Sequence, residues 1–182
     1  FDIKKLYPPF LLMGGVRLAH DLVLHRQLGG QKSQHIFSIE IISGEGQTER
    51  MTVSIFNFSE MNLPKFLLKG KDKARFTMRF LHDLKRFGQT LIHNYQRVYI
   101  QASEKFWKNY KLLSPRSDIN EVRKIFTPEL VRYFESHSGW QVEGIDDWLL
   151  FYQRGVVVKP SKFSKFVQES HHLANEFLRQ TL

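Results

Sequence analysis

The chain has 182 residues, 42% of them hydrophobic and 14% aromatic, with sixteen Phe, no Cys and a formal charge of +9. That size and apolar content exclude a disordered chain and provide for one ordinary domain with an aromatic-rich core. The absence of Cys excludes disulfides, thiolate catalysis and thiolate-held zinc or iron–sulfur clusters, and it fits a reducing compartment.

Taken in chain order, Asp2 to Phe10 ends in Pro8-Pro9 and is expected to be extended. The apolar run Pro9 to Val16 is far shorter than the roughly 20 residues a membrane-spanning helix needs. It also lacks the sections of a signal peptide. Val16 to Leu28 suits a short helix stopped by Gly29-Gly30, with strand as the alternative for Val16-Arg17-Leu18 and Val23-Leu24. Ile36–Ile42 and Met51–Phe58 alternate with a period of two, and the glycine-containing Ser43–Gln47 between them predicts a hairpin. Asn62-Leu63-Pro64 marks a sheet edge or a new start, and Lys65–Gly70 a short strand that leaves the sheet at Gly70. From Lys71 to Phe87, Phe76, Phe80, Leu84 and Phe87 recur near helical spacing among basic residues, which predicts a basic amphipathic helix. Residues 90–100 return to a strand-like composition.

Beyond Lys111, Asp118 followed three residues later by Glu121 predicts a capping box for a helix running to about Ile125. Thr127-Pro128-Glu129 predicts the next helix start, with Leu130, Val131 and Phe134 inward and a stop near Gly139. Trp140–Gly144 and Trp148–Tyr152 predict two strands around an acidic turn at Ile145-Asp146-Asp147, and Val156–Val158 a third short run. Pro160-Ser161 then opens the longest helix, with Phe163, Phe166, Val167, Ser170, Leu173, Ala174, Phe177 and Leu178 on one face.

The chemistry-bearing residues form no strong motif. His171 and His172 are adjacent on a helix and therefore diverge, and His20 and His25 are badly spaced for ligation. Asp146-Asp147 with Glu143 is the densest carboxylate group, and a solvated turn accounts for it as well as a cation site does. The glycine pairs fit neither nucleotide-binding fingerprint. No metal, cofactor or catalytic set is expected. An enzyme whose site joins Glu143, Asp146 or His172 from distant elements is an alternative.

The strongest signal is where the charge sits. Met61 to Ile125 holds fifteen Lys/Arg against five Asp/Glu, and the rest of the chain is nearly neutral. Lys65, Lys69, Lys71, Lys73, Arg75, Arg79, Lys85 and Arg86 are the candidate contacts for an anionic partner. The expected partner is an anionic lipid surface or an acidic protein face. Nucleic acid bound through phosphate is the alternative.

One resemblance bears on this. Leu63-Pro64-Lys65-Phe66-Leu67-Leu68, Phe106 with Tyr110-Lys111-Leu112, Val122–Pro128, Trp140–Gly144, Trp148–Tyr152, Gly155 and the terminal helix form a pattern. It resembles a loosely defined group of bacterial domains of unknown function that often lie downstream of membrane-spanning helices. The resemblance implies an α+β module near a membrane and brings no active site. It does not cover the basic stretch from Lys69 to Arg86. The first residue, Phe1, is not Met, so an excised or processed fragment with room for an upstream anchor is expected. The reading is a single α+β domain with an antiparallel or mixed sheet flanked by helices and a long C-terminal helix. It is expected to act as a non-catalytic interaction or scaffold domain in the cytoplasm or on the cytoplasmic face of a membrane.

Overall fold

A computed structural model describes residues 21–29, 32–42, 48–59, 61–70 and 94–181. The elements in chain order begin with β1 (Asp21–Gly29), β2 (Lys32–Ile42), β3 (Thr48–Phe58), β4 (Leu63–Gly70) and β5 (Tyr95–Arg97). There follow α1 (Glu104–Asn109), β6 (Tyr110–Pro115), a 3-10 turn at Arg116–Asp118, α2 (Ile119–Ile125) and α3 (Pro128–Ser136). The chain then forms β7 (Trp140–Asp146), β8 (Trp148–Gln153) and α4 (Pro160–Thr181). The eight strands make one sheet in the order β1-β2-β3-β8-β7-β4-β6-β5, with every neighbouring pair antiparallel. The fold is therefore α+β with helices on an antiparallel sheet.

The expected helix over Val16–Leu28 is corrected from Asp21 onward, where the chain is strand β1; its first residues lie outside the described ones. Leu22 pairs with Phe37 and Leu24 with Ile36, so the cross-strand partner decides an apolar pattern that fits either period. Gly29 pairs with Lys32 across the β1–β2 hairpin rather than stopping a helix. Strand β4 lies inside the sheet between β7 and β6, not at an edge. Its register slips between Leu63 and Phe66, and this irregularity accommodates Pro64, which cannot donate to a ladder. Val156–Val158 is not a strand. The Val156 carbonyl accepts from Thr52 N–H at 2.9 Å, and Val158 N–H donates to Thr52 Oγ1 at 2.9 Å.

The helices pack on one sheet face. Thr127 caps α3 as its sequence requires: its Oγ1 accepts from Leu130 N–H, Pro128 is the first helical residue, and Leu130, Val131 and Phe134 are buried. Asp118 does not complete a capping box. Its carboxylate accepts from the Lys65 and Ser117 donors instead, tying α2 to β4. On α4, Phe166, Ser170, Leu173, Ala174 and Phe177 are buried on the predicted face. Phe177 is the centre of an aromatic core, with Phe66 stacked at 5.5 Å and Phe126, Phe134 and Phe151 around it at 5.8–6.4 Å. Phe66 lies directly over Gly144 of β7. A Cβ there would sit 2.7 Å from Phe66 Cζ and 2.8 Å from Cδ1, so only glycine allows this approach.

Alternation puts Phe37, Met51, Val53, Ile55, Leu150 and Tyr152 on the other sheet face, together with Gln141 and Glu143. These residues are buried too, yet none belongs to the helix-side core. The central strands are thus buried on both faces, and this is why Trp148–Tyr152 reads as an unbroken apolar run.

Candidate functional site

The sheet register gathers positive charge at one end. Val53 pairs with Tyr152, Tyr152 with Gln141, and Lys69 with Lys111. Just beyond this row β4 ends at Gly70, the stretch that carries Lys71 to Arg86 begins, and α1 joins β6 at Tyr110. Lys111 is exposed and Lys69 is half-buried beside it. Lys105 and Lys108 are exposed one turn apart on α1, immediately before this row. At the same end β8 passes into the loop that carries Arg154 and Lys159, and α4 starts with Lys162 and Lys165. Phe166 of α4 stacks on Trp140 at 5.5 Å, fixing the start of that helix here. The α4 macrodipole adds its positive pole to this end.

The opposite sheet end carries charge of both signs, with Lys65, Arg116 and Lys124 beside Asp118, Glu121, Asp146 and Asp147. The β7–β8 turn presents Asp146 in the left-handed region (φ 51°), while Asp147 Oδ1 accepts from Asn62 N–H at 3.4 Å. Nearby, a groove of about 510 Å³ is lined by Leu63, Asp118, Glu121, Lys124 and Gln180. Helix α4, roughly 33 Å long at 1.5 Å per residue, runs from the cationic end to this groove.

The candidate contacts divide accordingly. Lys69 stands at the cationic end. Lys65 is exposed four residues away, roughly 13 Å along the strand, where its N–H donates to Asp118 Oδ2 at 2.8 Å. Lys71, Lys73, Arg75, Arg79, Lys85 and Arg86 lie outside the described residues, as does the basic helix expected around them.

A second cleft at the cationic end, about 440 Å³, lies between the Val156–Lys159 loop and the first turns of α4. Lys159, Lys162 and Lys165 line it with Val156, Val157 and Phe166. Val156 and Val157 are 40% and 49% exposed although their backbone is bound to β3. Lys165 Nζ reaches Glu169 at 3.6 Å, and Lys159 and Lys162 have no ion-pair partner among the described residues.

The structure does not bring the acidic and histidine candidates together. Glu143 is 3% exposed on the sheet face away from the helices, where Tyr152 Oη donates to it at 3.4 Å. Burial and the nearby Glu143 and Asp118 carboxylates push the Tyr95 hydroxyl up to about 12. Asp146 is exposed at the acidic turn, and His172 is exposed on α4, across the sheet from Glu143. His171 and His172 diverge as expected, His171 toward Phe56 and His172 toward Tyr133. The carboxylates flanking them along the helix are paired, Glu169 with Lys165 and Glu176 with Arg179. Among the described residues no three His, Asp or Glu are grouped so as to hold a metal ion.

One pairing had no signal in the sequence. His25 and His35, ten residues apart, meet across the β1–β2 hairpin with their Nδ1 atoms 3.3 Å apart. Burial first, and the neighbouring His25 second, hold the His35 imidazole below its ordinary range. Only the hairpin register reveals it.

No protein-family model, curated protein or solved structure matches the chain.

Proposed function

We propose that this chain is a non-catalytic interaction module whose cationic sheet end engages an anionic membrane surface. The observation that carries the reading is the group of exposed lysines at this sheet end, Lys105, Lys108 and Lys111 with Lys159 and Lys162. Exposed ammonium groups gathered at one end fit a surface that meets negative charge. No helix among the described residues is long and apolar enough to cross a membrane, so the contact proposed is peripheral.

Nucleic acid is the weaker alternative. Stacking on bases needs an open aromatic face. Tyr99, 61% exposed, already carries the Arg97 guanidinium 5.0 Å from its ring centre. The test is charge reversal. Lys105→Glu, Lys108→Glu and Lys111→Glu together should abolish sedimentation with anionic vesicles while the circular dichroism spectrum stays native. Unchanged sedimentation would refute the reading.

A further inference from the structure

We propose that the Val156–Lys165 segment is a membrane-docking element. Val156 and Val157 enter the acyl boundary of an anionic bilayer, while Lys159, Lys162 and Lys165 sit among its lipid phosphates. The inference rests on the cationic sheet end being an anionic-membrane surface, and it names the part that touches hydrocarbon.

Three observations converge on this segment. First, Val156, Val157 and Tyr99 are the exposed large hydrophobic residues among the described ones, and the two valines are adjacent and line the cleft together with the lysines. Second, the loop is held in place. Val156 O and Val158 N are both bonded to Thr52 of β3, so the valine side chains are presented without a large loss of chain entropy on docking. Third, the charge is complementary to phosphate: three lysines line the cleft against one carboxylate, Glu169, which Lys165 approaches at 3.6 Å. Lys159 precedes α4, Lys162 and Lys165 follow at three-residue spacing, and the helix starts at Pro160 with its positive pole toward them.

The combination selects the partner. Phosphate alone, or an acidic protein face, would be matched by the lysines and would leave the valines without a role. Nucleic acid offers phosphate but no hydrocarbon. An anionic bilayer presents phosphate and acyl chain within about 5–10 Å of each other, the depth to which interfacial elements insert. Phe166, buried against Trp140 at the floor of the cleft, joins this contact to the core.

The chain contains no Cys, so Val157→Cys gives a single labelling site on the full protein. An environment-sensitive fluorophore there should shift to the blue with vesicles of phosphatidylcholine and phosphatidylglycerol, and not with phosphatidylcholine alone. The same label at exposed Asn120→Cys, at the other end of the sheet, should not respond. Val156→Asn with Val157→Asn should weaken vesicle binding about tenfold. Lys159→Gln, Lys162→Gln and Lys165→Gln together should weaken it roughly a hundredfold, at about fivefold per lysine. A label at Val157 that remains in water while the protein binds anionic vesicles overturns the docking element and leaves the cationic end intact. Failure to bind those vesicles at all overturns both. Binding to an acidic peptide or RNA that is lost with the lysine-to-glutamine changes but tolerates the valine changes also overturns the assignment, because the valines would then have no role.

Discussion

Replacing Gly144 with alanine tests how the aromatic core is built. In an ordinary strand interior alanine is favoured over glycine by about 0.5–1 kcal/mol. Here the new Cβ would meet three atoms of the Phe66 ring, with Cζ at 2.7 Å and Cδ1 at 2.8 Å and Cε1 closer still. The ring has no free direction: Phe177 stacks on it at 5.5 Å and Phe126 meets it edge-on at 5.3 Å. Overpacking of this kind costs about 1–3 kcal/mol, and the enclosed ring places it at the upper end. The net expectation for Gly144→Ala is a loss of about 2 kcal/mol, or roughly 4–8 °C in Tm for a chain of this size. Urea denaturation followed by circular dichroism measures it. Phe66→Leu in the same background should recover part of the loss, giving a favourable coupling in a double-mutant cycle. A Gly144→Ala protein as stable as the parent, or more stable, would refute the packing of Phe66 on β7.

Two further perturbations follow from the local chemistry. Thr127→Ala removes the acceptor for Leu130 N–H and should cost about 1 kcal/mol in the same urea assay, with Thr127→Ser near neutral. The histidines make stability fall on acidification. His35 is held below its ordinary value of 6.5 by burial and by His25, and His171 by burial and by Arg26 and His172. The unfolded chain therefore takes up protons first. Their contribution is complete above about pH 6.5 and is lost as pH falls through that value toward the folded-state values. His35→Gln should make the acid side of the stability profile shallower; an unchanged slope would remove His35 from the account.

Much of the fold was legible because its signals are local. Thr127-Pro128 carries its own cap, the α4 stripe repeats over about four turns, and Trp148–Tyr152 is apolar throughout because both faces of β8 are covered. Elements whose identity depends on a partner were not legible. Strand β1 takes its form from β2, and six-residue α1 buries only Phe106, too little for a period to show. Strand β6 does alternate, with Tyr110, Leu112 and Ser114 buried, but the serine in an inward position hides it; its hydroxyl is satisfied by the Lys65 carbonyl. Asp118 has the spacing of a capping box and serves β4 instead, because Lys65 N–H comes within 2.8 Å only in the folded sheet.

For the candidate site, the sequence pointed to a basic stretch but not to the end of the sheet from which it springs. Lys69 and Lys111 are 42 positions apart and become neighbours through register alone. The lysines of α4 fell outside the basic region counted along the chain, since Glu169 and Glu176 balance them in sequence. The Val156–Val158 run looked like a strand because three β-branched residues in a row have that propensity. Their backbone is instead held by Thr52 of β3, a tie that no local pattern encodes.

The most direct measurement of the central claim is co-sedimentation of the full chain with phosphatidylcholine vesicles and with vesicles that also contain phosphatidylglycerol, across a range of salt. The account predicts binding to the anionic vesicles alone, weakening steeply as salt rises. Equal weak binding to both compositions, or no dependence on salt, would contradict it.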